Sequence, residues 1–189
     1  SQSKRFYQET LRIRPTSEDS AIEVNCNAWS TDDLNLLCVL GRGAYGTVHL
    51  GLSLNPSSMN EYIAVKIMRK DKMAGSGKER PIAECQVMAM NNGKCPFLVE
   101  LMASFQTPKH LFIVMEFVQG GELFSLIQRA GSLTEKATQF YLAEIVEGLT
   151  FLHKKGVIYR DLKSENVLLD VSGHIKLADF GLSKTNVGS

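Results

Sequence analysis

Tyr159-Arg160-Asp161-Leu162-Lys163-Ser164-Glu165-Asn166 runs directly into the apolar Val167-Leu168-Leu169, and Asp179-Phe180-Gly181 follows ten residues later. Asp161, Lys163, Asn166 and Asp179 supply two carboxylates, an ammonium and an amide. That set suits a Mg-nucleotide: hard oxygen ligands for the metal, and a cation against the charge of a transferring phosphoryl group. Either cluster alone also reads as a solvated turn. Between them, Val167 to Asp170 and His174 to Ala178 flank the turn Val171-Ser172-Gly173, which predicts a hairpin.

Upstream of this stretch the apolar period is helical. Leu142, Ile145, Leu149 and Leu152 predict one apolar face on a helix that starts after the N-cap Thr134 and ends near Gly156. Leu123, Leu126, Ile127 and Ala130 predict a shorter helix stopped by Gly131. Before Gly120-Gly121 the pattern changes to strands: Leu34 to Leu40, Val48 to Leu54, Tyr62 to Met68, Leu98 to Phe105 and His110 to Phe117. One helix interrupts them, from Pro81 to about Met90, with Gly93 as candidate C-cap and Met73 to Gly77 as the connector before it. Five strands and one helix followed by a helical part predict an α+β fold with two lobes. Residues 1–33 carry few apolar side chains in no sustained period and read as a flexible tail, whose end Trp29 can anchor.

The strand region holds two more motifs. Gly41-Arg42-Gly43-Ala44-Tyr45-Gly46 is weak by itself, since G-x-G-x-x-G occurs in dinucleotide folds as well as in flaps over nucleoside triphosphates. A dinucleotide site needs a helix opening at the last glycine. Here Thr47-Val48-His49-Leu50 follows, which favours a strand, so a strand-loop-strand flap fits better. A plain glycine-rich hairpin is the bland alternative. No Walker A pattern occurs. Ile63-Ala64-Val65-Lys66 places a lysine, 20 residues after Gly46, in a strand that otherwise reads as buried. A buried ammonium demands a partner, and phosphate or carboxylate would serve. An outward-facing lysine is the bland alternative there.

Composition narrows the class. The 189 residues are 44% hydrophobic and 22% charged, which excludes a chain disordered throughout. A net charge of +1 gives no basic field for nucleic acid. Cysteines 26, 38, 85 and 95 form no C-x-x-C, and reduced thiols in a cytoplasmic or nuclear protein are expected. No apolar run approaches the roughly 18 residues of a membrane span. Histidines 49, 110, 153 and 174 have no metal-ligand spacing. The chain starts at Ser1 rather than Met, as a processed or cut-down product would.

Taken in order and spacing, the four motifs resemble those of the eukaryotic protein kinases, over residues 34–189 almost continuously. Lys163 and Tyr159, with Gly120-Gly121-Glu122-Leu123-Phe124 and Gly173-His174-Ile175-Lys176-Leu177, look like a Ser/Thr kinase of the AGC group, similar to its ribosomal-protein kinase branch. The resemblance implies an N-lobe at 34–117, a hinge at 116–121 and a partial C-lobe at 122–189. It also implies ATP and Mg²⁺ as cofactors, protein substrates with Ser/Thr acceptors, and an upstream activating kinase. Leu40, Gly41, Gly43 and Gly46 would cover the nucleotide, and Lys66 would touch its α/β-phosphates. Glu84 would pair with Lys66, Glu79 being the competitor. Val48, Ala64 and Leu168 would sandwich the adenine, with Met115 as gatekeeper. Glu116 and Val118 would bind the adenine edge through their backbone, and Glu122 the ribose. Asp161 would accept the substrate hydroxyl proton, and Asn166 and Asp179 would hold Mg²⁺.

The sequence departs from the family pattern in three places. Ser164 stands where a proline is usual. Two residues are inserted between the strand-region helix and Pro96. The chain stops eight residues past Gly181, before any A-P-E. A truncated helical lobe is therefore expected, with apolar surface left exposed on the Leu142–Leu152 helix. Two readings follow: a Ser/Thr kinase of which this is a piece, or an inactive truncated kinase that binds nucleotide or a partner. A dinucleotide oxidoreductase leaves Lys66, Asp161 and Asp179 unexplained.

Overall fold

A computed structural model of the protein describes residues 29–43, 46–73, 79–91 and 93–185. Most of the expected tail, the connector after Met73, the loop residues Ala44 and Tyr45, and the last four residues lie outside that set, as do the side chains of Glu79, Arg80 and Ile82. The strand-rich part is one antiparallel sheet. Its strands are β1 (Leu34–Arg42), β2 (Gly46–Ser53), β3 (Tyr62–Arg69), β4 (Leu101–Gln106) and β5 (His110–Glu116), in the order β1-β2-β3-β5-β4. Helix α1 (Glu79–Asn91) lies between β3 and β4 in the chain.

Strand alternation sorts the side chains of β3 to two faces. Ile63, Val65 and Ile67 face outward into a cluster with Ala103, Phe105, Phe112 and Val114, closed by Trp29 and Leu34. Phe105 and Phe112 stack there at 4.7 Å. Trp29 is thus the anchor on the body. A capped turn, in which the Ser30 backbone N–H donates to Asp33 at 2.6 Å, leads from it into β1. Met68 packs on the opposite face into a larger cluster with Cys85, Val87 and Met88 of α1.

That larger cluster continues without a break into the second part of the chain. It takes in Ile145 and Leu152 of α3 (Glu135–Lys154), Leu123 at the start of α2 (Leu123–Ala130), and Val157 at the start of β6 (Val157–Ile158). The hairpin β7 (Val167–Leu169) and β8 (Ile175–Leu177) adds Val167, Leu169, Ile175 and Leu177. Strand β9 (Lys184–Thr185) pairs with β6. Thr134 caps α3 as expected, accepting from the Ala137 backbone N–H at 3.2 Å. A Cβ on Gly148 would stand 3.1 Å from Leu177 Cδ1, so glycine lets α3 lie close against the hairpin.

Four expected boundaries move by two residues or more. Helix α1 starts at Glu79, not Pro81. Proline fits the first turn because backbone N–H groups there have no intrahelical acceptor. Strand β4 begins at Leu101 instead of Leu98, which makes a single bridge to Leu177 of the hairpin. Strand β1 runs on to Arg42 and β2 starts at Gly46, because pairing extends into the glycine-rich loop itself. Of the expected α3 face, Ile145 and Leu152 are buried but Leu142 is 54% exposed. Contact with the hairpin runs along Ile145, Gly148 and Leu152, and Leu142 and Val146 stand to one side of that line. Exposed apolar surface on this helix is what the sequence predicts. Among the described residues no helix is long and apolar enough to cross a membrane.

Candidate active site

The β2–β3–β5 register sets Val48 beside Lys66, and Ala64 beside Met115. All four lie on the sheet face that looks toward α1 and the hairpin. A lysine on this face would be poorly solvated, and the fold supplies its partners. Lys66 Nζ donates to both carboxylate oxygens of Glu84, at 2.7 and 2.9 Å, and to Asp179 Oδ1 at 3.3 Å. Burial alone pushes the ammonium's pKa down, but Glu84 and Asp179 outweigh it and hold Lys66 above the ordinary lysine value. Glu84 is itself buried, which raises its carboxyl pKa against the opposing pull of Lys66. Three elements distant in sequence therefore meet at one ammonium.

Around Asp161 the geometry is equally local. Lys163 Nζ donates to Asp161 Oδ2 at 3.0 Å. Asn166 Nδ2 donates to the same oxygen at 2.8 Å and to the Asp161 carbonyl at 2.9 Å. Since the amide nitrogen is used inward, the Asn166 side-chain oxygen has no donor among the described residues. Ala178 N–H donates to the Asn166 carbonyl at 2.9 Å, which ties the Asp161 loop to the residue preceding Asp179. Asp179 (φ 55°) and Arg160 (φ 65°) both hold left-handed backbone, where a non-glycine residue is strained.

Two residues at this junction make contacts that have no signal in the sequence. The Tyr159 hydroxyl donates to the Ala178 carbonyl, and its ring meets Phe180 edge-on at 5.6 Å. Burial raises the pKa of that phenol, so it stays a donor. Arg160 Nε donates to the Leu182 carbonyl at 2.8 Å. Both motifs are visible, but nothing local joins Tyr159 to Ala178 or Arg160 to Leu182.

The connection from β5 to α2 lies against the hairpin. Gly120 N–H donates to the Leu169 carbonyl at 2.7 Å, and Leu169 N–H to the Gly121 carbonyl at 2.8 Å. A Cβ on Gly120 would fall 2.5 Å from Leu169 O, so only glycine allows this approach. Glu122 bridges to Leu168. Val118 is buried, yet its backbone N–H and carbonyl have no hydrogen-bond partner among the described residues. Buried backbone groups are rarely left unpaired. The edge of a planar heterocycle with one donor and one acceptor would satisfy both, so the residues present fit an adenine. A cavity of about 440 Å³ opens on the other side of this segment, lined by Tyr62, Glu100, Met102, Glu116 and Phe117. Glu116 alone of the expected site residues lines it.

The glycine-rich loop is closed by Gly43 N–H donating to the Gly46 carbonyl at 2.9 Å. Among the described residues nothing lies within 4 Å of where a Cβ on Gly41 would stand, and only the Gly46 carbonyl oxygen, at 3.9 Å, near one on Gly43. Gly46 differs: its Cβ would lie 1.9 Å from the Ile67 carbonyl oxygen. The neighbouring strand by itself demands a glycine there. Gly46→Ala is expected to lower stability by about 1–3 kcal/mol, as overpacking against backbone does. Thermal unfolding measures it, and an unchanged midpoint would contradict the contact. Leu40 is 46% exposed and falls at an irregularity in the β1–β2 register, with no cross-strand partner among the described residues.

Among the described residues no group of three or more His, Cys, Asp or Glu side chains converges on a metal position. A Mg²⁺ bound through one carboxylate and an amide oxygen, completed by phosphate oxygens and water, needs no such group. Asp179 and Asn166 fit that donor set.

Residues 34–189 match the protein kinase domain family, and the chain belongs to it. Its relatives include protein kinase C eta type of Mus musculus, 40% identical over 190 residues, covering 98% of this chain and 27% of the relative. Protein kinase C-like 1 of Caenorhabditis elegans is 46% identical over 154 residues, 81% of this chain and 21% of that protein. Ribosomal protein S6 kinase beta of Caenorhabditis elegans is 40% identical over 156 residues, 82% and 28% respectively. These relatives support the AGC group, and they divide between two branches rather than favouring the ribosomal-protein kinases. The chain spans about a quarter of the length of the relatives it matches. Use of ATP with a divalent metal is general to the family.

Proposed function

We propose that the protein transfers the γ-phosphate of ATP, as its Mg²⁺ complex, to Ser/Thr hydroxyls of protein substrates. The observation that carries this reading is the meeting of Lys66, Glu84 and Asp179, which sets a cation beside a half-exposed carboxylate able to hold a metal. In this reading Lys66 holds the α/β-phosphates, and Val48, Ala64 and Leu168 enclose the adenine beside Met115. The backbone of Glu116 and Val118 reads the adenine edge, and Glu122 the ribose. Asp161 orients the acceptor hydroxyl and takes its proton, while Lys163 faces the transferring group. Asn166 and Asp179 hold Mg²⁺, which neutralises phosphate charge when bound. Phosphoryl transfer asks chiefly for alignment and charge stabilisation, and these groups supply both. Activation by an upstream kinase and a cytoplasmic or nuclear setting accompany this reading.

A second reading draws on helix α3. Leu142 and Val146, 54% and 57% exposed on α3, offer an apolar strip to a partner. In that case the chain binds nucleotide or protein without transfer. An assay with γ-labelled ATP, Mg²⁺ and a Ser/Thr peptide separates the two: label on the peptide supports transfer, and nucleotide binding without label supports the second.

A further inference from the structure

Alternation along β5 turns the Glu116 side chain away from Met115, to the outer side of the sheet. There Glu116 Oε1 accepts two hydrogen bonds. One comes from the Glu100 backbone N–H at 2.8 Å, the other from Lys176 Nζ at 2.7 Å. Glu116 N–H donates in turn to the Glu100 carbonyl at 3.1 Å. The Lys176 and Glu116 side chains are 18% and 29% exposed, so solvent screens this pair only in part. Lys176 stands on β8 in register with Leu168 of β7.

The segment from Glu116 to Gly121 is therefore fastened to the hairpin at both ends. At its far end the fasteners are the backbone bonds between Gly120, Gly121 and Leu169. At its near end the fastener is one side chain, Lys176. Val118, with its unpaired N–H and carbonyl, lies midway between them. The rung that carries Lys176 also carries Leu168.

We propose that Lys176 is a positioning residue for adenine recognition, acting through Glu116 to hold the Val118 backbone at a fixed height above Leu168. This rests on the reading, proposed above, that Val118 meets the adenine edge. A positioning role predicts that loss of the ammonium weakens binding of the base and spares binding of the phosphates. A merely structural role weakens both alike.

The test compares the wild-type chain with Lys176→Met and Lys176→Arg. Amide hydrogen exchange is read on the nucleotide-free chain, and affinities are measured for Mg-ATP and for Mg-tripolyphosphate. In Lys176→Met the Glu116 and Gly120 amides are expected to exchange about tenfold faster, as a locally released segment does. The Leu177 amide, bonded to the Phe97 carbonyl on the hairpin's other side, keeps its rate. The ATP dissociation constant rises about three- to tenfold, the scale of one weakened hydrogen bond, while that for tripolyphosphate is unchanged. Lys176→Arg restores both readouts to within about twofold. Should the methionine variant not fold, Lys176→Gln gives the same direction. Unchanged exchange at Glu116 and Gly120, or a parallel weakening of both ligands, overturns the proposal. If the wild-type chain binds no ATP, the adenine reading falls, and the exchange comparison still decides whether Lys176 fixes this segment.

Discussion

Asp161→Asn is expected to cut phosphate transfer by orders of magnitude while leaving nucleotide binding nearly intact. The carboxylate makes no contact with Lys66, Glu84 or the Val118 backbone, so the groups proposed to hold ATP stay in place. Its Oδ2 accepts from Lys163 and Asn166, and an asparagine oxygen in the same position accepts from both. What the amide lacks is the charge and basicity that draw the acceptor hydroxyl proton. Loss of a positioned general base lowers turnover by about 10²–10⁴-fold. Steady-state transfer to a Ser/Thr peptide, beside ATP affinity by calorimetry, measures the two quantities separately. Unchanged transfer would remove Asp161 from its proposed role.

Lys66→Met is expected to act on stability and chemistry together. Glu84 is only 3% exposed, and its hydrogen bonds among the described residues come from Lys66 alone. Removing one member of a buried pair strands the other, at about 3–5 kcal/mol. The solvent that reaches Lys66 and protonation of Glu84 both reduce that figure. Adding Glu84→Gln neutralises the stranded carboxylate. The double variant is therefore expected to melt above Lys66→Met alone, yet still to transfer no phosphate. Recovery of stability without recovery of transfer separates the two roles. Wild-type turnover in Lys66→Met, or a double variant no more stable than the single, would contradict this account of the pair.

Much of this junction is legible in the sequence because its signals are local. Lys66 ends the apolar run Ile63-Ala64-Val65, so its need for a partner follows from the cost of desolvating an ammonium, while the face it takes is left open by the sequence and set by the fold. The partner Glu84 lies on a helix whose start the sequence misplaces by two residues, because Pro81 reads as an N-terminus when it belongs to the first turn. Leu98 reads as strand from its apolar neighbours, but its pairing is a bridge to Leu177, 79 residues away. Strands β6 and β9, two residues each, exist only because they meet each other. Lys176 and Glu116 are 60 residues apart and unremarkable in isolation. Leu142 fits the helical period as well as Ile145 does, and only the direction of hairpin contact sets them apart. Periodicity and turn chemistry predict elements, whereas contacts between elements depend on topology.

The account's central claim is that Lys66, Asp179 and the Val118 backbone together form a Mg-ATP site. Calorimetric titration of ATP into the 189-residue chain, with and without Mg²⁺, tests it most directly. Binding at one site, strengthened by Mg²⁺ in the wild type and insensitive to Mg²⁺ in Asp179→Asn, is the predicted result. No binding, or binding whose Mg²⁺ dependence survives Asp179→Asn, would contradict it.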